Sequence, residues 1–324
     1  MPAPVTGVSY AEGLSEKAII GTMFMRLELL SGLTDYVNQV TMHFTSSQAF
    51  EKYRWVGMSP RMQLWVGGRK SKGLRTFGID IYNDKYEATL EVGADDLRRD
   101  KTGQLLVRIN EMVDGSQDHW HELVTDFLKN ATSIVCYDEK YFFATDHEEG
   151  KSGVQSNFID LDISAYPAKI HNTVAAPSPE EMSYAIFNVI KQILSFKDDT
   201  GRIINRRAKN FIVIVPLNLM MSASSAINIA TFANGGDNLL FKSQFNIQLE
   251  VNADLNWGDD QFSVHRTDGN IKSIIRQDEY EVVPSMLGEN SENYFKTDTL
   301  QFGLKSMRAV GPGLWPACCL GRLV

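Results

Sequence analysis

The chain has 324 residues, 43% of them hydrophobic and 22% charged, with 40 acidic against 32 basic side chains and a formal charge of −8. At roughly 150 residues per domain this is about two domains, long enough to bury a core without disulfide or metal staples. The acidic balance argues against a protein that grips DNA or an anionic membrane through a broad basic face. Three cysteines, two of them the adjacent Cys318 and Cys319, are too few for a secreted disulfide framework and point to a reducing, cytoplasmic setting. No run of about 18 apolar residues is present to span a membrane, and Met1-Pro-Ala-Pro-Val-Thr-Gly7 lacks the basic start and apolar core of a signal peptide.

In chain order, apolar residues at Leu14, Ala18, Ile19, Met23, Met25, Leu27, Leu29 and Leu30 predict an amphipathic helix over 13–33, with Gly32 as its stop. Residues 34–50 are polar and weakly periodic, and read as an extended or partly helical arm. Leu64-Trp-Val66 has strand character and leads into the glycine-flanked basic loop Gly67-Gly-Arg-Lys-Ser-Lys-Gly73. Phe77, Ile79 and Ile81 alternate with polar residues, as do Tyr86, Ala88, Leu90 and Val92. With Asn83-Asp84 between them, this predicts a hairpin in which Ile81 faces Tyr86 and Ile79 faces Ala88.

A three–four stripe through Leu106, Ile109, Val113, Trp120, Leu123 and Phe127 predicts a long helix over about 104–130, kinked or divided at Asp114-Gly115. Short strands are expected at 134–137 and 141–143. Ser178 with Glu181 forms a capping box with Pro179 at the first helical position, so a helix should run from 179 to about 196. The β-branched run Asn210–Pro216 reads as a strand buried on both faces, followed by a helix over about 219–232 and an alternating strand at 245–251. The last 60 residues read as strands and loops. The expected class is α+β.

Catalytic chemistry finds little support. There is no P-loop, dinucleotide-binding GxGxxG, HExxH or Gly-x-Ser-x-Gly elbow. His119 and His121 sit two apart on a helix and point about 200° from each other, so they read as surface residues beside a tryptophan rather than as ligands. Asp146-His147-Glu148-Glu149 is the one cluster that suggests a metal-dependent hydrolase, using Asp146 and His147. It lies in a polar loop without a second histidine. Cys136 reads as a packed core thiol. No catalytic residue, cofactor site or metal site is assigned.

Four stretches in order resemble one family. They are Glu51-Lys-Tyr-Arg-Trp-Val-Gly57 with Leu64-Trp-Val-Gly-Gly-Arg69; Ile81-Tyr-Asn-Asp-Lys-Tyr-Glu-Ala-Thr-Leu-Glu-Val92; Glu122–Lys129 with Cys136–His147; and Ile275-Arg-Gln277, Tyr294-Phe-Lys-Thr-Asp298 and Gly311-Pro-Gly-Leu-Trp315. Together they resemble the major head subunit of Mu-like phages and prophages. The likeness covers about residues 45–316 and is weaker before residue 45 and at Cys318-Cys319-Leu320.

The resemblance implies the Hong Kong 97-type phage major capsid fold. Its parts would be an N-terminal arm (1–50), an E-loop hairpin arm (54–92), a peripheral domain (93–177) with a spine helix at about 104–130, an axial domain (178–265) and a return to the peripheral domain (266–324). The implied function is the major capsid protein of a tailed phage, not an enzyme. It would self-assemble into hexamers and pentamers of an icosahedral shell enclosing double-stranded DNA without sequence-specific binding and without a membrane. An oligomeric tail or decoration protein is the further alternative.

The same resemblance implies a scaffold, portal and maturation protease as partners, with a cement or decoration protein as a further candidate. Fewer than about 50 residues precede the matched region, so the scaffold is expected as a separate chain. The protein would reside in the virion after assembly in the bacterial host cytoplasm. Candidate inter-subunit contacts are Arg69, Lys70, Lys72, Lys85, Tyr86 and Glu87; candidate hinges are Gly67, Gly68, Gly73, Gly235 and Gly236. Lys70 or Lys72 would be the donor of any lysine–asparagine cross-link, for which no acceptor is identifiable.

Overall fold

The computed structural model describes residues 16–31, 36–53, 78–100, 103–233, 235–258 and 260–324. The first half of the chain forms α1 (Glu16–Ser31), α2 (Tyr36–Val40), β1 (Thr41–Thr45), β2 (Phe50–Tyr53), β3 (Ile79–Tyr82), β4 (Asp84–Gly93), α3 (Ala94–Arg99) and α4 (Gln104–Asn130). The second half begins with the small antiparallel pair β5 (His147–Glu148) and β6 (Val154–Gln155), then β7 (Phe158–Leu161), α5 (Pro179–Ser195), β8 (Asn210–Val215) and α6 (Met220–Asn228). It ends with β9 (Asn246–Val251), β10 (Gln261–Arg266), β11 (Ile274–Leu287), α7 (Glu292–Thr297), β12 (Thr299–Pro312) and β13 (Cys318–Leu323).

Two sheets organise these elements. One has the order β7-β13-β10-β8-β9, with β7 parallel to β13, β8 parallel to β9 and the central pairs antiparallel. Its core strand β8 buries Phe211 through Val215, as a strand covered on both faces must. Helix α5 starts at the capping box expected from Ser178 and Glu181. It then lays Met182, Ala185, Ile186, Val189, Ile190 and Ile193 into the largest core, the i, i+3, i+4 rows of one helix face. Helix α5 and strand β7 both crowd β13: a Cβ on Gly321 would sit 3.0 Å from Val189 Cγ2 of the helix and 2.8 Å from Leu161 Cδ1 of β7. Because this sheet draws β7 and β13 from outside residues 178–265, that section does not close on itself.

The other sheet has the order β1-β11-β12-β4, with β1 parallel to β11 and the rest antiparallel. One face packs on α1 and the first half of α4 through Ile19, Met23, Ile109, Val113, Leu300, Phe302 and Leu304. Helix α4 is continuous through Asp114-Gly115, neither divided nor capped there. Its second half buries Val124, Phe127 and Leu128 in the other core, so one helix of roughly 40 Å joins both.

The structure overturns the predicted 77–92 hairpin. β3 pairs with β2, bringing Ile79 opposite Tyr53 and Tyr82 opposite Phe50, while β4 pairs with β12. Alternation fixes which face a side chain takes, not which strand lies beside it. The supposed turn residue Asn83 is a buried crossover instead. Its backbone N–H donates to Ala49 O (2.9 Å), its Nδ2 donates to Gln48 O (3.0 Å), and its Oδ1 accepts from Gln277 Nε2 (2.8 Å). Residues 84–92 therefore belong to the four-stranded sheet, and the chain between 53 and 79 leaves and returns at one place.

Three smaller readings also change. Residues 36–45 are partly helical as expected, but they do not stand apart as an arm: Tyr36, Val37 and Val40 enter the largest core and β1 joins a sheet. The segment 134–143 makes one bridge, Val135 to Tyr141, around Glu139 at φ +66°, rather than two strands. Helix α6 stops at Asn228, short of 232, because buried Asn238 takes over its end, with Nδ2 donating to Ala226 O (2.6 Å) and Ile229 O (2.7 Å).

Candidate assembly site

Of the contact residues proposed from sequence, Arg69, Lys70 and Lys72 lie outside the described residues, as do Gly67, Gly68 and Gly73. Lys85, Tyr86 and Glu87 lie on β4, one of the two edge strands of its sheet. Lys85 and Glu87 are exposed, and Glu87 accepts from Thr89 Oγ1 (2.7 Å). Tyr86 is half-buried, edge-on to His119 with ring centres 4.3 Å apart, and this burial raises its phenol pKa. Gly235 has φ +79° in a turn closed by its N–H to Phe232 O and by Phe232 N–H to Gly236 O, a conformation that glycine adopts without strain.

The hydrolase pair does not converge. The exposed Asp146 carboxylate is bound by Lys140 Nζ at 2.5 Å, which holds its pKa below the usual carboxylate value. His147 is fully buried, stacked on Trp315 with ring centres 4.1 Å apart, its Nδ1 2.6 Å from Asp138 Oδ2 and its Nε2 3.0 Å from Asn157 Oδ1. Asn157 Nδ2 donates to Phe142 O (2.7 Å), which fixes the amide orientation and makes His147 Nε2 the donor to Oδ1. The fully buried ring clasps Asp138 and Asn157 together. Among the described residues no group of three His, Cys, Asp or Glu side chains is placed to hold a metal ion. His119 and His121 also diverge: the first packs on Tyr86 and the second on Tyr36.

A concavity of about 1020 Å³ lies between α1, α4 and the four-stranded sheet. Arg26 of α1 closes one end, donating through Nε (2.7 Å) and Nη2 (2.8 Å) to the two carboxylate oxygens of Asp114 on α4. Trp120 forms part of the floor, beneath the guanidinium of Arg308 (4.7 Å from its ring centre) and that of Arg276 (5.4 Å). Arg308 is only 2% exposed and its Nη1 donates to Ser116 O (3.1 Å), while burial lowers its pKa to about 10. Asp278 Oδ1 sits 2.6 Å from His43 Nε2 across the adjacent strands. Asp118 and Glu281 stand exposed on the rim. Sequence reasoning missed this groove, because its parts come from four elements whose juxtaposition has no local signal.

A second surface collects apolar side chains around α6 and the following loop. Leu217, Met221, Leu239 and Phe241 are each at least half exposed there. No helix among the described residues is long and apolar enough to cross a membrane.

Comparison with known proteins gives this arrangement a context. Residues 24–167 match the family described as the Mu-like prophage major head subunit gpT. The chain is 31% identical over 105 residues to the Mu-like prophage FluMu major head subunit of Haemophilus influenzae (strain ATCC 51907 / DSM 11121 / KW20 / Rd), covering 32% of this chain and 34% of that protein. It is 30% identical over 125 residues to the major capsid protein of Escherichia phage Mu, covering 38% of this chain and 41% of that one. These alignments thus span between a third and about two-fifths of the curated relatives. Over 94% of its length the chain superposes on 74% of a chain from the procapsid of bacteriophage JBD30, with a TM-score of 0.55 at 18% identity. The fold is the Hong Kong 97-type fold of phage capsid proteins. The sequence likeness to the Mu-like prophage major head subunit family is confined to residues 24–167, a little under half of the chain.

Proposed function

We propose that this protein is the major head subunit of a tailed phage, a structural protein rather than an enzyme, whose copies build an icosahedral shell of hexamers and pentamers around double-stranded DNA. The observation that carries the reading is the coincidence of a head-subunit sequence match with a capsid fold extending over nearly the whole chain. The five-stranded sheet with α5 and α6 would form the axial part of a capsomer, and the four-stranded sheet with α4 the peripheral part. The apolar surface around α6 would then meet its counterparts near the capsomer centre.

Assembly needs no strong single contact. Each copy in a closed shell meets several neighbours at once, so individually weak interfaces give a stable whole while leaving growth reversible. A net charge of −8 suits a container that encloses a polyanion without binding it tightly. Scaffold, portal, maturation protease and a cement protein would join this process in the host cytoplasm, and the finished subunit would reside in the virion.

Electron microscopy of the protein expressed with its scaffold tests the reading. Shells, capsomers or tubes are the expected result. A protein that stays monomeric at all concentrations under those conditions would overturn it.

A further inference from the structure

Strand β4 runs ten residues, Asp84–Gly93, and keeps one unbroken register with β12, without a bulge or a proline. On its other side no strand follows among the described residues. A long, straight edge of this kind is a template for a further strand, and proteins ordinarily blunt such edges with bulges, prolines or short length.

Backbone alternation decides which groups face outward. Ala94 N–H donates to Asp298 O (3.0 Å), the next pair of the β4–β12 register, so Ala94 belongs to the set bonded inward. Every second residue before it does the same: Val92, Leu90, Ala88 and Tyr86. Lys85, Glu87, Thr89 and Glu91 therefore turn their N–H and C=O groups away from β12, and these groups meet no partner among the described residues. The side chains of those four are all exposed, while Leu90 and Val92 on the other face pack with α1 and α4. Ala88 lies on the helix side and is exposed as well, so the middle of the edge is left uncovered.

Two copies of one edge meet about a two-fold axis normal to the sheet, which sets the strands antiparallel. Outward-facing residues must then lie opposite one another, so the axis passes through a residue, and charge chooses which. Centred on Glu87, the strands oppose Glu87 to itself. Centred on Thr89, they oppose Glu87 to Glu91 twice. Centring on Tyr86 overlaps only Asp84 to Ala88, and centring on Leu90 leaves Lys85 beyond the pair. Centred on Ala88, Lys85 faces Glu91 at both ends, Glu87 faces Thr89, and Tyr86 meets Leu90 on the helix side. Lys85 has no ion-pair partner of its own among the described residues.

We propose that β4 is a strand-addition surface for a second copy of this chain, joined antiparallel about Ala88 so that the two four-stranded sheets continue as one. The pairing gives the shell subunit a two-fold contact, and rests on the capsid reading only for its place in the shell.

Ala88→Cys tests the register. At the axis the two Cα atoms form a non-hydrogen-bonded pair, about 4.5 Å apart and within reach of a disulfide. The full-length variant, expressed with scaffold and treated with diamide, should run as a dimer on a non-reducing gel. Lys85→Cys, which faces Glu91, should not. The native thiols Cys136, Cys318 and Cys319 are buried and should not compete. Added to Ala88→Cys, Lys85→Glu should lower the dimer yield about five-fold by setting Glu against Glu, and a further Glu91→Lys should restore it. Shells without the Ala88 cross-link, equal dimer from Lys85→Cys, or charge reversal without effect would each overturn the strand pairing and leave the capsid reading intact. A cross-linked dimer from a protein that forms no shell, capsomer or tube would support the pairing and overturn the capsid reading instead.

Discussion

Arg308 holds its guanidinium 4.7 Å from the ring centre of Trp120 while being almost wholly buried, so a strand of one sheet and the long helix α4 share a cation–π contact sealed from water. Only Nη1 has a hydrogen-bond acceptor, Ser116 O, and Nε has none among the described residues. The indole therefore compensates the buried charge together with the nearby Asp278 carboxylate. Trp120→Ala should cost about 3 kcal/mol, from lost packing and a stranded cation. Trp120→Phe, which keeps a ring face, should cost about half as much. Urea unfolding of unassembled subunit reads both; equal costs for the two variants would show that the ring face is irrelevant.

Two glycines should respond in opposite directions to alanine. At Gly321 the new methyl would press on Leu161 and Val189 in the largest core, at 2.8 and 3.0 Å, and overpacking of this kind costs about 1–3 kcal/mol. At Gly115, midway along α4 and exposed, a Cβ meets nothing within 4 Å. Alanine there should stabilise the subunit by about 0.5–1 kcal/mol through helix propensity. Thermal melts of Gly321→Ala and Gly115→Ala side by side would settle both signs.

His265 gives the fold an acid sensitivity. Fully buried, it donates from Nδ1 to Ser273 Oγ (2.8 Å), which itself donates to Val40 O (3.3 Å), and it accepts at Nε2 from Ser263 Oγ (2.9 Å). The ring is neutral, and burial pushes its pKa down from 6.5 to about 3. Between those values the unfolded chain binds a proton that the folded one does not. This contribution to stability is fully present above pH 6.5 and falls, as pH drops toward 3, by at most about 1.4 kcal/mol per unit. His265→Gln should lower stability at neutral pH and remove one proton's worth of that acid slope. An unchanged slope in denaturant titrations from pH 7 to 4 would refute the assignment.

Asn83 should behave as a structural joint rather than a turn. Replacing it with alanine leaves Gln48 O with Ser46 Oγ as its remaining donor and removes one of the two acceptors of Gln277 Nε2, for a cost of about 1–2 kcal/mol. A tolerant, exposed hairpin turn would lose only a few tenths. Chemical denaturation of Asn83→Ala separates the two.

What the sequence made legible was what its neighbours decide. The capping box at Ser178 and Glu181, the apolar stripe of α4 and the β-branched run of β8 each carry their own signal within a few residues, and each element appears within a residue or so of where it was expected. Strand partners carry no such signal. Tyr86 and Ile81 alternate as hairpin strands do, yet their strands pair with β12 and β2, because pairing is settled by surfaces far away in the chain. The same reason hid the groove: Arg276, Arg308 and Trp120 meet only once two sheet strands and a helix are in place. The family likeness supplied the function that local chemistry did not.

Helix α4 is rooted at one end in the core with α1 and at the other in the core with α5 and β8. It therefore works as a lever between two masses. A tilt of about 5° between them displaces the far end by roughly 3 Å over the ~40 Å of the rod. The softest place along that rod is Gly115, where no side chain stiffens the exposed face. A subunit built this way can fit sites of slightly different curvature by bending one helix, with both hydrophobic cores left undisturbed.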